Sequence, residues 1–245
     1  MAEELTGTVV AEKYRVDSLL RSGDLGNFYR GRHIFMDKPV ILKVLPPALA
    51  VDQHIRDQFT AEARSSSALS NPHILAATDF ASGTDNSYYV VYDGFEAEPL
   101  MASIGSGGRF SVERAVDMAK QAAQALAAAN EAGFIHGHLT PESILVANTP
   151  DTANVKVFDF EPAANSEPRT ADEKPAANVA YLAPEQFLGL RNIDGRTDIY
   201  SLGIILYQML TGEVPFKGET PTDVILKHAE EAPPLLRSLR PDAPQ

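Results

Sequence analysis

The residues of this chain best suited to chemistry are of three kinds. They are a histidine in a loop, a lysine within an apolar run and two closely spaced carboxylates. His138 lies in the loop spanning residues 136–143. It is a candidate general base, because histidine has an ordinary pKa of about 6.5 and is the most frequent general base in enzymes. Asp159 and Glu161 follow an apolar run, and carboxylate oxygens are ligands that Mg²⁺ prefers. Lys43 supplies a positive charge within residues 40–45.

Composition limits the kinds of partner that the chain can have. Its 245 residues are 44% hydrophobic, which is enough for a sizeable core. With 21 basic and 33 acidic residues the net charge is −12, so nucleic acid and anionic membranes are poor partners. The absence of cysteine excludes disulfides, a thiolate nucleophile and a cysteine-based zinc site, and it is typical of a cytoplasmic protein.

No segment of the sequence predicts membrane insertion. The start, Met1-Ala2-Glu3-Glu4, has neither the basic nor the apolar region of a secretory signal. The longest apolar segment, Leu202 to Leu210, is well short of the roughly 20 residues that a membrane span needs. We expect it to form a buried helix.

The elements that position the candidate residues change in type along the chain. Alternating apolar runs predict an antiparallel meander followed by a helix and two further strands. The strands of the meander are predicted at 14–16, 26–31 and 40–45, and the helix at about 52–69. The two further strands are predicted at 77–80 and 88–92. From Ser111, a plausible N-cap, to Gly133, the apolar spacing is helical. The sequence therefore predicts an α+β architecture, with a loop over 161–177.

Three motifs have both an ordinary and a chemical interpretation. Gly23 and Gly26, in residues 20–28, serve a hairpin turn as well as a phosphate-covering loop. Lys43 is either a solvated strand residue or the partner of an acid on the following helix, where Glu62 is suitably spaced. Asp159 is either a solvated acid at a strand end or a metal ligand.

These motifs occur in the order of a known family, and with residues 181–185 and 198–203 they resemble bacterial eukaryotic-like Ser/Thr protein kinases. The resemblance runs from about Tyr14 to Leu239. It implies a two-lobed kinase fold, with an N-lobe of about 13–95 and a C-lobe of about 96–245. The C-lobe is expected to be truncated, since the family usually continues through two more helices. In the family, the lysine contacts phosphates, the helix glutamate pairs with it and the aspartate binds metal.

The resemblance fails at the positions that carry catalysis. His138 replaces the catalytic Asp, Thr140 the phosphate-binding Lys and Ser143 the magnesium-binding Asn. We therefore expect a catalytically impaired pseudokinase that is not an enzyme. Such a domain would act as a scaffold for a partner protein and would require no cofactor, with at most weak ATP and Mg²⁺ binding. The alternatives are an ATP-binding enzyme of altered mechanism, for phosphoryl or nucleotidyl transfer, and a weakly active Ser/Thr kinase.

Other departures affect the nucleotide site. Phe28 and Ile41 replace a Val and an Ala that cover the adenine ring in the family, and we predict that they fill the adenine slot against Leu145. Arg21 replaces the first glycine of the phosphate-covering loop. Glu161 replaces the Gly of the Asp-Phe-Gly motif and offers a further carboxylate to a metal.

The resemblance also makes structural predictions. Asp198 is expected to anchor the backbone of the loop at 136–143. Glu185 loses its usual arginine partner, so we expect it either to find another partner, for which Arg237 and Arg240 are candidates, or to remain exposed. Gly137 stands where the family has an arginine that reads phosphorylation, so phosphorylation of Ser166 or Thr170 is not expected to switch the domain. The oligomeric state is left open.

Overall fold

The β-rich half of the molecule, residues 9–93, is built on a sheet of six antiparallel strands. The computed structural model describes residues 5–23, 25–148, 153–162, 179–187 and 193–243. The strands of the first sheet are β1 Val9–Val10, β2 Tyr14–Gly23, β3 Gly26–His33, β4 Lys38–Leu45, β5 Ala77–Ser82 and β6 Tyr88–Asp93. Their order in the sheet is β1-β2-β3-β4-β6-β5, and all neighbours are antiparallel. The predicted meander is confirmed.

Two helices follow β4 and cover this sheet. They are α1 Pro47–Ala50 and α2 Gln53–Ala68. The Asp52 carboxylate caps α2 by accepting a 2.8 Å hydrogen bond from the His54 backbone N–H. The buried face of α2 includes Phe59, Glu62 and Ala63, so the helix points a carboxylate as well as apolar groups at the sheet.

Helices dominate the second half. They are α3 Leu100–Gly107, α4 Val112–Glu131, α5 Pro184–Phe187, α6 Gly195–Thr211, α7 Pro221–Glu230 and α8 Leu236–Leu239. Ser111 caps α4 as predicted, and Gly133, just beyond its end, has φ +82°. The alanines of α4 recur at helical spacing on its buried face, and they bring it close to α6. The apolar segment 202–210 lies inside α6, as predicted.

Short strands connect the two halves near the loop at 136–143. They are β7 Glu98–Pro99, β8 Phe134–Ile135, β9 Ile144–Asn148, β10 Ala153–Val157 and β11 Glu161–Pro162. Strand β9 lies between β10 and β7, and β11 pairs with β8. The loop and Asp159 therefore lie at the ends of paired strands, facing the β-rich half. The lobe boundary near Phe95 stays a prediction.

Within the described ranges, no helix combines the length and the apolar character needed to cross a bilayer.

Candidate functional site

Four charged side chains meet between the two halves of the molecule. Lys43, on β4, forms an ion pair with Glu62 of α2 and donates a 2.7 Å hydrogen bond to Asp159 Oδ1. Arg21, near the end of β2, pairs with the other oxygen, Asp159 Oδ2. Glu62, Asp159 and Lys43 are each at most 5% exposed. Three candidate residues that are far apart in sequence are therefore brought together, with Arg21 added to them.

Lys43 and Asp159 are held in their ionised forms by the charges around them. Burial lowers the pKa of Lys43, but the carboxylates of Asp159 and Glu62 outweigh it and raise that pKa above its ordinary value. Burial would raise the pKa of Asp159, yet the charges of Lys43 and Arg21 hold it well below the usual range. Two positive and two negative charges cancel, so the cluster is a neutral, buried network.

The backbone at Asp159 is held in an uncommon conformation. Its φ is +76°, in the left-handed region that non-glycine residues rarely adopt. The side chain is directed at Lys43 from this position. Such strain persists where surrounding contacts impose it and is common at functional sites.

The loop at 136–143 is fixed by buried hydrogen bonds. Asp198, on α6, accepts 2.8 Å bonds from the backbone N–H groups of His136 and Gly137, which confirms its predicted anchoring role. Gln186, on α5, donates to the Gly137 carbonyl oxygen. The loop backbone is thus held at both carbonyl and amide groups, although the residues at its catalytic positions are altered.

The side chains of that loop are placed differently with respect to the cluster. His138 Nε2 lies 3.4 Å from Asp159 Oδ2, so the candidate base is at the edge of the charged cluster. Thr140 and Ser143 are buried, and in the described part of the chain Ser143 Oγ has no hydrogen-bond partner. His136 is fully buried, and burial lowers its pKa well below the ordinary value.

Apolar side chains occupy the region next to the cluster. Phe28 and Leu145 are fully buried and Ile41 is 2% exposed, and all three belong to one core cluster that crosses between the halves. The Phe28 ring packs edge-on against Phe158 at 5.0 Å and lies 6.3 Å from Tyr92. This packing is what slot filling requires, but whether these side chains exclude a nucleotide stays a prediction.

Both glycines of the β2–β3 hairpin are required by its geometry. Gly23 pairs with Gly26 across the turn. Gly26 has φ +116°, and a Cβ there would lie 2.2 Å from the Val44 carbonyl oxygen. The hairpin interpretation thus accounts for both residues, and a role in covering phosphates stays a prediction.

A magnesium ion does not fit the described arrangement. Both oxygens of Asp159 are taken by cationic groups, Lys43 on one side and Arg21 on the other. The family's second ligand is replaced by Ser143, and within residues 5–23, 25–148, 153–162, 179–187 and 193–243 no three His, Asp or Glu side chains are grouped to hold a metal. The side chain of Glu161 lies outside the described part of the structure.

In the described part of the chain, neither of the two candidate arginines, Arg237 and Arg240, pairs with Glu185. Its Oε1 instead accepts a 2.8 Å hydrogen bond from the Thr197 hydroxyl. Arg240 donates to the carbonyl oxygens of Phe110 and Leu210, and Arg237 is exposed. Glu185 is half-buried, so its carboxylate also keeps some contact with solvent. Ser166 and Thr170 lie outside the described residues.

Two contributors to the site were not identified from the sequence as such. Arg21 was noted only as a missing glycine, although an arginine opposite an aromatic residue in a hairpin is a signal for a stacked cation. Tyr92, buried beside Phe28, had no signal beyond its place in an apolar strand.

Comparison with known proteins gives consistent matches over nearly the whole chain. A sequence model of the protein kinase domain matches residues 14–241. The chain is 34% identical to the serine/threonine-protein kinase pkn3 of Myxococcus xanthus, over 98% of its own length and 45% of that protein's. It is 32% identical to PknA of Mycobacterium tuberculosis, over 97% of this chain and 55% of PknA. It is 31% identical to PrkC of Bacillus subtilis, over 98% of this chain and 37% of PrkC. The chain thus spans about half the length of these relatives, or less.

Solved structures agree on the fold. The kinase domain of Mycobacterium tuberculosis PknI, solved as a double mutant, superposes with a TM-score of 0.71 at 23% identity, over 97% of this chain and 85% of that one. The two-lobed architecture predicted from the sequence is therefore confirmed.

The prediction that the chain is not an enzyme is wrong. Relatives at 31 to 34% identity over nearly its full length are named serine/threonine-protein kinases. The altered loop does not decide activity alone, because Lys43, Glu62 and Asp159 are retained and the structure brings them into contact. Such relatives also imply ATP and Mg²⁺, which were expected to bind only weakly.

Proposed function

Because the chain belongs to the protein kinase domain family, we propose that it transfers the γ-phosphoryl group of ATP to serine or threonine hydroxyls of proteins, at a low rate. The observation that carries this proposal is the assembled contact of Lys43 with both Glu62 and Asp159. In protein kinases the pairing of this lysine with the helix glutamate must be in place for activity. The phosphate-binding end of the site therefore supports catalysis.

The altered loop explains why the rate should be low. A carboxylate base at position 138 is replaced by His138, and a phosphate-binding lysine by Thr140. We propose that the His138 imidazole takes the proton of the attacking hydroxyl. A positioned general base contributes about 10² to 10⁴ in rate, of which a less suitable base recovers only part, and the losses at neighbouring positions do not add.

Lys43 and His138 have separate tasks in this proposal. The Lys43 ammonium is buried, charged and held by two carboxylates, so it can attract phosphate oxygens without reorienting. The imidazole of His138 is partly exposed at the edge of the cluster, where a protein hydroxyl can reach it. ATP supplies the phosphoryl group when it is bound.

The proposal is tested by phosphate transfer from radiolabelled ATP to the domain itself and to a general protein substrate. We expect phosphoserine or phosphothreonine with the wild type and about a hundredfold loss in Lys43→Ala, because a buried charge that contacts phosphate is removed. Restoring a carboxylate with His138→Asp is expected to raise the rate about tenfold.

The matched control is Lys38→Ala, which removes an exposed lysine from the same strand. Its transfer rate should equal that of the wild type. No transfer by the wild type, or transfer that survives Lys43→Ala, would contradict the proposed function.

A further inference from the structure

Arg21 lies where a kinase-like phosphate-covering loop has a glycine and no side chain. Its guanidinium pairs with Asp159 Oδ2 and is stacked over the Phe28 ring, 4.3 Å from the centroid. The side chain is only 11% exposed. The hairpin thus places a permanent positive charge against the carboxylate to which a metal ion would otherwise bind.

This contact changes the charge of the site. Without Arg21, Glu62 and Asp159 would outnumber Lys43 and leave one net negative charge, which favours a divalent cation. With Arg21 the four charges cancel. A metal ion would have to displace the guanidinium from Asp159 Oδ2 and would then lie beside a second buried cation, which is unfavourable.

The guanidinium also retains capacity for an anionic ligand. Arg21 Nε is buried, and within the described part of the structure it has no hydrogen-bond acceptor. A buried donor without an acceptor is unfavourable, and a phosphate oxygen would supply the acceptor. The arginine fork matches phosphate oxygens in a two-point geometry. Arg21 and Lys43 both contact Asp159, so one polyphosphate chain can meet both cations.

We propose that Arg21 binds the phosphate groups of the nucleotide in place of a divalent metal ion, so that this domain holds ATP without Mg²⁺. The inference rests on the proposed function, because it concerns the nucleotide of that reaction. It assigns to the hairpin a phosphate-binding residue whose position is glycine in the family resemblance.

The test is the dissociation constant of ATP, measured by calorimetry in excess EDTA and again in excess Mg²⁺. For the wild type we expect the two constants to agree within about threefold. For Arg21→Gly we expect ATP to bind about tenfold more weakly in EDTA than the wild type does, because one charge-assisted contact to phosphate is lost. Mg²⁺ should restore binding to this variant, since Asp159 is then open to the metal.

Three controls separate phosphate recognition from general damage. Arg15→Gly removes an exposed arginine from the same strand and should leave both constants unchanged. Adenosine lacks phosphate, so its affinity should be the same for wild type and Arg21→Gly. An Arg21→Lys variant retains the charge and should bind ATP in EDTA more tightly than Arg21→Gly.

Three results would overturn the inference. One is wild-type binding that is tighter in Mg²⁺ by about tenfold or more, which would leave the proposed function intact if phosphate transfer is observed. Another is tighter ATP binding by Arg21→Gly under both conditions, which would make Arg21 a barrier. The third is no ATP binding by the wild type in either condition; if no phosphate transfer is seen either, the proposed function falls with the inference.

Discussion

At the scale of single residues, the charge and the packing of the site depend on three side chains that are larger than those of the family resemblance. Arg21 takes the place of a glycine, and Phe28 and Ile41 are larger than the valine and alanine of the family resemblance. Arg21 and Phe28 are paired across β2 and β3, so one hairpin carries the added charge and the added ring. Opening that hairpin would release both from the site together.

Phe28→Val tests the apolar part of this arrangement. Removing a fully buried ring should lower the free energy of unfolding by about 2 kcal/mol. The same change should tighten ATP binding about tenfold, because no ring has to leave the adenine slot. Urea denaturation and calorimetry measure the two effects.

The opposite signs of these effects make the test specific. Phe35→Val, at a side chain 77% exposed, is the control and should change neither quantity. A destabilised Phe28→Val variant with unchanged or weaker ATP binding would show that the ring does not occupy the slot.

At the scale of elements, α6 holds the loop at 136–143 in place. Asp198 reaches from its first turn to two successive backbone N–H groups of that loop, and Thr197 beside it donates to Glu185. One helix terminus thus ties the loop and α5 together. The position of the loop backbone therefore depends on the first turn of this helix.

Asp198→Asn measures that dependence. An amide can accept only one of the two backbone bonds and turns its NH₂ group toward the other donor. We expect a loss of about 2 to 3 kcal/mol in unfolding free energy, measured in urea. Asp17→Asn, at an exposed surface pair, should cost no more than about 0.5 kcal/mol. Equal effects of the two substitutions would contradict the anchoring role.

At the scale of the whole molecule, the stability depends on buried neutral histidines. His228, on α7, is 6% exposed. Its Nδ1 lies within hydrogen-bond distance of the Tyr200 hydroxyl oxygen, at 2.7 Å, and its ring centroid is 4.7 Å from that of Phe216. Burial lowers its pKa to about 4. The unfolded chain takes up a proton near pH 6.5 that the folded chain refuses until about pH 4, so stability falls as the pH falls through this window.

We expect about 1 to 2 kcal/mol of this loss at His228 between pH 7 and pH 5. His228→Gln should therefore flatten the dependence of the melting temperature on pH. It should not abolish it, since the pKa of buried His136 is also lowered. His54→Gln, at an exposed site, should leave the slope as in the wild type. An unchanged slope in His228→Gln would contradict the role of His228.

The sequence predicted the elements better than the contacts at the site. Strand alternation, the Ser111 cap and the anchoring by Asp198 follow from local pattern and motif order, and the structure confirms them. The pairing of Arg21 with Asp159 does not follow from any sequence pattern. The two residues are 138 positions apart, and the register of the β2–β3 hairpin decides where the Arg21 side chain lies. The contact of Glu185 with Thr197 was likewise not identified from the sequence, because it depends on the positions of α5 and α6 in three dimensions.

The neutrality of the buried cluster sets how the domain responds to ionic strength. Salt screens exposed charges over about 8 Å at physiological concentration but acts much less on buried pairs. The chain carries a net charge of −12. In the buried cluster that contains Asp159, by contrast, the charges of two cations and two anions cancel each other. Added salt should therefore relieve repulsion at the surface and stabilise the fold, without loosening the contact between Arg21 and Asp159.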